Sequence, residues 1–190
     1  MLSRIHMSTF EELLAGCLKQ DNKCKEMIYK SFYGYLIAVI LRYVGERADA
    51  EELVNDSFIK IFKNLHTFRH PQDPAQLQNA FKAWASRISS RTAIDFLRSK
   101  KVYLNVDDIP EDKHIATPES AIAQLNAQDI MKLLNALPDT HRIIFNMYEI
   151  EGFSHDEISK TLDIPVSSSR VYLTRAKNKL RELYSIQLSA

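Results

Sequence analysis

The amino-acid sequence predicts an all-α fold: two small helical domains joined by a flexible linker, the second carrying a C-terminal helix-turn-helix. Three observations predict it. Apolar residues recur at three- and four-residue spacing in segment after segment, the period of a helix buried along one face. Helix-starting signals, such as Ser154 with Glu157 and Thr117 with Pro118, punctuate the 190 residues. Only four glycines are present, which starves a sheet-rich fold of its turns, and no strand pattern emerges. The apolar share of 45% suits ordinary buried cores and excludes wholesale disorder.

The elements follow in order. Thr9 to Lys19 is a short amphipathic helix with Phe10, Leu13, Leu14, Cys17 and Leu18 on one side. A polar turn at Gln20–Lys23 leads to a second helix, Met27 to Val44, with Gly45 just past its end. Asp49-Ala50-Glu51-Glu52 reads as a start in the manner of a capping box. The helix after it buries Ala50, Leu53, Val54, Ser57, Phe58, Ile61, Phe62 and Leu65. His66 to Asn79, with Pro71 and Pro74, reads as an ordered loop, and Ala80 to Lys101 as a basic helix. Val102 to Thr117 is acidic and aperiodic, a tether. A helix starts at Thr117-Pro118 and runs to about Ala136; another spans Thr140–Glu151 and breaks at Gly152. Ser154–Glu157 caps a short helix, Asp163-Ile164-Pro165 turns, and a last helix runs from about Ser168 to Tyr184. The domains expected are 1–101 and 118–190, with 102–117 as linker.

The net charge of +1 conceals strong segregation. Phe81 to Lys101 carries six basic residues and one acid; Val102 to Asp129 carries six acids and one lysine. Asp139 to Asp163 is acidic, whereas Pro165 to Tyr184 holds five bases against one acid. Two separate basic segments are two candidate phosphate-binding surfaces.

Several functions are disfavoured. No apolar run reaches the roughly 20 residues of a membrane span, and no export signal opens the chain, so a cytoplasmic protein is expected. Cys17 and Cys24, seven apart on one expected helix face, stand about 10 Å apart, too far for an unstrained disulfide. The six histidines have no partners at metal-ligand spacing. The carboxylates Asp107, Asp108, Glu111 and Asp112 cluster without basic or histidine partners. No cofactor, metal or catalytic residue is expected.

Phe153–Lys179 has the layout of a helix-turn-helix, a short helix, a tight turn and a longer basic helix that enters a major groove. Ile158, Leu162, Ile164, Val171 and Leu173 are placed to pack the pair. Ser167, Ser168, Ser169, Arg170 and Tyr172 occupy the front end, where base edges are reached. Arg175, Lys177 and Lys179 suit phosphates, which carry affinity but little sequence information. The plainer alternative is a helical hairpin with a solvated basic face.

The stretch from Leu137-Pro138 through Arg142, Glu151-Gly152-Phe153-Ser154, Glu157-Ile158, Leu162, Ile164, Leu173, Arg175-Ala176 and Leu180 resembles the fourth conserved region of sigma factors of the extracytoplasmic-function group. Asp49–Phe58 resembles the family's polymerase-binding helix. Phe81–Trp84, Arg87-Ile88 and Asp95–Arg98 resemble its promoter-melting segment. Three matches occur in the family's order. Asp163 replaces a usual turn glycine, Ser167-Ser168 a Gly-Thr pair, Tyr172 a basic residue and Arg91 an asparagine.

The resemblance implies a bacterial transcription initiation factor, monomeric when free. Its partners would be core RNA polymerase, double-stranded and melted promoter DNA, and an anti-sigma factor. Asp49, Glu51, Glu52, Asn55 and Asp56 would contact polymerase; an acidic face repels DNA and suits a protein partner. Phe68, Arg69 and His70 lie where the family captures a flipped base. Lys82, Arg87, Arg91, Arg98, Lys100 and Lys101 offer phosphate contacts to an opened strand. Trp84 either stacks on an exposed base or packs with Phe81 and Ile88. A conventional helix-turn-helix regulator is the alternative, but it leaves the Asp49–Arg98 pattern without a role.

Overall fold

The computed structural model describes residues 9–100 and 132–188; the expected tether 102–117 and the helix start at Thr117-Pro118 lie outside the described residues. Among the described residues the helices are α1 (Phe10–Leu18), α2 (Asn22–Leu41), α3 (Arg47–Asn64), α4 (Leu77–Ser99), α5 (Asp139–Phe145), α6 (His155–Leu162) and α7 (Val166–Leu188), and 132–135 are helical as well. No strand occurs among the described residues. By backbone proximity the chain divides into two units, 1–40 with 46–92, and 41–45 with 93–190.

In the first unit, Thr9 caps α1 through a full capping box with Glu12. Leu13, Leu14 and Cys17 are buried, but Leu18, expected beside them, faces solvent. Gln20 takes a left-handed φ of 66°. The Asp21 carboxylate then accepts from the amides of Lys23 and Cys24 at 2.7 and 3.2 Å. That cap starts α2 five residues ahead of the expected Met27. The cysteines therefore stand on two different helices rather than on one face, both as free thiols. A Cβ on Gly16 would lie 2.3 Å from Cys24 Sγ, so a larger residue there would force the Cys24 side chain to move. Burial, with Cys24 beside it, pushes the Cys17 thiol up to about 11.

Further boundaries differ from expectation; helix α4 starts at Leu77 rather than Ala80, so the end of the expected loop is helical. Helix α2 ends at Leu41, and Gly45 is not in the left-handed region. Helix α3 starts at Arg47 with Glu46 at its cap, and no side chain caps it. Asp49 instead lies in the first turn, where its carboxylate meets the positive end of the helix dipole. The core gathers Phe32 of α2, Val54 and Ile61 of α3, and Phe81 of α4, all buried. Phe10 and Phe32 flank Phe81, with ring centroids 5.4 and 4.9 Å from it.

In the second unit, α5 opens after Pro138 and runs into a π-helical turn, Asn146–Ile150. Gly152 follows with φ 68°, so its break falls where the sequence puts it. The core is Leu134, Ile143, Ile144, Met147, Phe153, Ile158, Leu162, Leu173 and Ala176.

Candidate nucleic-acid interface

The α6–α7 pair is built by local chemistry. Ser154 Oγ accepts from the Glu157 amide while the Glu157 carboxylate accepts from the Ser154 amide, closing the expected capping box. Asp163 ends α6 in left-handed geometry, φ 56° and ψ 48°, where glycine is the more common residue. The Ser159 hydroxyl donates to the Ile164 carbonyl at 2.6 Å and ties the turn to α6. Helix α7 then begins at Val166, two residues earlier than expected.

This frame sorts the expected upstream-contact residues. Ser167 and Arg170 are exposed at the front of α7, and Ser168 is half-buried. Ser169 is fully buried and its Oγ lies 2.9 Å from His155 Nδ1, so it supports the turn and is out of reach of a base. Tyr172 is half-buried, its ring 5.5 Å from that of His141. Arg175 is half-buried; Lys177 pairs with Glu149 at 2.7 Å and Lys179 with Glu182 at 2.9 Å. Val171, expected to pack between the helices, is 47% exposed. Counting back from Ala176 and Leu173 gives Ser169 as the inward position and turns Val171 roughly half a turn away.

Two histidines sit behind this surface. Burial, then the Arg175 guanidinium, holds His141 below the ordinary imidazole range. His155 is lowered by burial and by Arg170 and Lys177, with Asp156 opposing, and its ring stacks on Tyr148 at 4.4 Å.

The downstream set divides along α4. At 100° per residue, Trp84, Arg87, Arg91 and Arg98 share one stripe of the helix. Arg91 and Arg98 are exposed and Arg87 is half-buried. Lys82 and Lys100 lie on the opposite side: the Lys82 ammonium is 5.8 Å from the Tyr35 ring centroid and that of Lys100 is 4.3 Å from Phe96. The six basic residues expected to act together are therefore not one face, and Lys101 lies outside the described residues.

Beside the stripe, Phe68 leans on Trp84 and Phe81, with centroids 5.4 and 5.7 Å away, and on His70 at 5.4 Å. Trp84 is half-buried, packed on Phe81 at 5.8 Å while part of its ring remains open. Arg69 and His70 are exposed. The loop is held by two 3-10 turns, Leu65–Thr67 and Pro74–Gln76, the second capped by Asp73.

On α3, Glu52, Asn55 and Asp56 are exposed along one face, while Asp49 and Glu51 are half-buried. Glu51 pairs with Arg47 at 2.9 Å. The Tyr29 hydroxyl donates to Asn55 Oδ1 at 2.8 Å, so α2 fixes the amide's direction. Ile59, absent from the expected set, continues the face and is 66% exposed. The spacing of 52, 55, 56 and 59 is the signal that finds it.

Two family models match stretches of the chain. Residues 28–102 match the family model of sigma-70 region 2, and residues 127–180 match that of sigma-70 region 4. The chain is 25% identical over 191 residues to the ECF RNA polymerase sigma-E factor of Haemophilus influenzae, covering 92% of this chain and 97% of that one. It is 26% identical over 184 residues to the namesake of Salmonella typhimurium, covering 90% and 92%. In fold it is similar to the sigma factor RpoE of Bartonella quintana, solved in complex with the anti-sigma factor NepR. That match has a TM-score of 0.51 and 21% identity over 85% of this chain and 96% of that chain. Paired regions of this kind define a transcription initiation factor that directs RNA polymerase to promoters. The chain belongs to the sigma-70 family, in its extracytoplasmic-function group.

Proposed function

We propose that this factor divides its work between residues 1–101 and 118–190, with 102–117 as tether. The observation that carries the reading is the front of α7. Ser167 and Arg170 are exposed there on a helix set by a capped turn, with no acid in its first turn. A helix N-terminus carries partial positive charge, which favours approach to the phosphate backbone. Arg170, with Ser167 and Ser168, reads the upstream element; Arg175 supplies a phosphate contact, as do Lys177 and Lys179 once their ion pairs exchange.

The α4 stripe handles the downstream element. Arg87, Arg91 and Arg98 follow the backbone of the opened strand, and Trp84 offers its open edge to a base. Phe68, Arg69 and His70 form the wall of a base pocket, resting on the buried ring of Phe81. Lys82 and Lys100 join through the strand's far side or act on packing alone. The α3 face of Glu52, Asn55 and Asp56, flanked by Asp49 and Glu51, docks on core polymerase.

The protein acts in the cytoplasm as a monomer when free, without catalysis of its own and without cofactor. An anti-sigma factor regulates it, as the complex of the Bartonella quintana protein with NepR suggests by analogy. Among the described residues no helix is long and apolar enough to cross a membrane. Co-elution with core polymerase tests the docking surface. The wild-type chain is expected to co-elute and Asp56→Lys to lose most of its association while keeping its fold. Undiminished association of that variant would remove α3 from the interface.

A further inference from the structure

The outward stripe of α7 contains an apolar side chain where a solvated recognition surface has no folding use for one. Ser167, Arg170, Val171 and Thr174 recur at three- and four-residue spacing, and all four are exposed. The inward stripe, Ser169, Leu173 and Ala176, is buried. Val171 lies one turn beyond Ser167 and about one turn before Thr174, on the opposite edge of that stripe from Arg170. The Thr174 hydroxyl donates to the Arg170 carbonyl at 3.1 Å, so its proton is engaged by the helix itself. Arg170 is left as the charged group of the stripe and Val171 as its apolar one.

In a major groove the two chemistries read different bases. A guanidinium pairs with the acceptors of guanine, whereas an aliphatic side chain finds one apolar partner on the base edges, the thymine 5-methyl group. We propose that Val171 is a specificity-determining residue that contacts a thymine methyl in the upstream promoter element. This rests on α7 being the upstream reader. The contact would remove a methyl-sized surface from water on each side and leave no polar group unpaired. Since β-branched valine is stiff at χ1 in a helix, its two methyls are already oriented before binding.

Replacing thymine by uracil deletes that methyl and nothing else. The full chain, assembled with core polymerase, is used to select upstream elements from a randomised duplex library. Each thymine of the preferred element is then changed singly to uracil, and initiation is compared for wild type and Val171→Ala. One position is expected to lose about fourfold with wild type, the worth of a buried methyl-sized group. The same change should have little effect with Val171→Ala, whose own rate on the thymine template is already reduced. Val171→Ile is expected to keep the uracil sensitivity.

Wild type indifferent to uracil at every position would overturn the proposal, as would an equal uracil penalty in Val171→Ala. Selection that yields an upstream preference, without coupling to residue 171, would refute this contact and leave the reader intact. Initiation with no upstream preference would refute both. Folding does not confound the result, because the mutated side chain is at the surface and the variant is read against itself on two templates.

Discussion

His155 Nδ1 and Ser169 Oγ share a hydrogen bond of 2.9 Å across the turn between α6 and α7. It joins the first residue of α6 to the fourth of α7 and fixes how far the second helix projects from the first. A part-buried hydrogen bond of this kind contributes about 1 kcal/mol, and its loss leaves the imidazole nitrogen partly desolvated. Ser169→Ala is therefore expected to lower the stability of the full chain by about 1–2 kcal/mol, read by thermal or urea unfolding. Ser167→Ala, at an exposed position of the same helix, should change stability far less. Equal effects of the two would argue against the bridge.

Acid should weaken the fold through His141. The residue is buried against Tyr172, and both desolvation and Arg175 make it harder to protonate folded than unfolded. Its folded pKa thus lies below the unfolded value of about 6.5. The neutral ring stabilises the native state fully above that unfolded value, and the contribution is lost as pH falls through the folded pKa. Melting temperatures recorded from pH 8 to pH 5 should fall at the acid end. His141→Gln should show a shallower decline, and parallel curves for the two proteins would contradict the assignment.

Gly16 is expected to resist a side chain while Cys24 keeps its place. Its missing Cβ leaves room for Cys24 Sγ, which a methyl would meet at 2.3 Å. Gly16→Ala should cost about 1–3 kcal/mol through overpacking. Adding Cys24→Ala removes the sulfur and should recover most of the loss, a non-additivity measurable by a double-mutant cycle. Independent, additive costs would show that α1 and α2 can part.

The Glu149–Lys177 ion pair restrains the lysine that we propose as a phosphate contact. Both side chains are about one third exposed, so the 2.7 Å contact adds little to stability. Glu149→Gln should leave the melting temperature within a degree or two and raise affinity for random duplex DNA by up to about fivefold at low salt. Lys177→Ala should reduce the salt slope by about one. Fluorescence anisotropy across a salt series checks both, and an unchanged slope would remove Lys177 from the phosphate contacts.

What the sequence made legible is mostly what neighbouring residues decide among themselves. Ser154 with Glu157, Gly152 in its turn and Asp163 in left-handed geometry all follow from short-range chemistry, and each lies where the pattern puts it. The start of α2 did not, because Asp21 sits in a run of polar residues that also reads as a plain turn. The buried role of Ser169 escaped since its partner lies fourteen residues away and a serine in a basic segment looks solvent-facing. Val171 reads as a packing residue for the converse reason, since it is an apolar side chain on an outward stripe. The ring contacts of Phe68 and Trp84 with Phe81 are tertiary, and no local spacing encodes them. Counting lysines and arginines along α4 hid that Lys82 belongs to the other side.

The most direct test is initiation by purified core RNA polymerase on a library of templates randomised upstream of the melting region. The full chain should confer transcription from a subset sharing one upstream sequence, and Arg170→Ala should flatten that preference by about 1–3 kcal/mol while still binding polymerase. A well-folded chain that leaves core polymerase silent on every template would contradict the assignment outright.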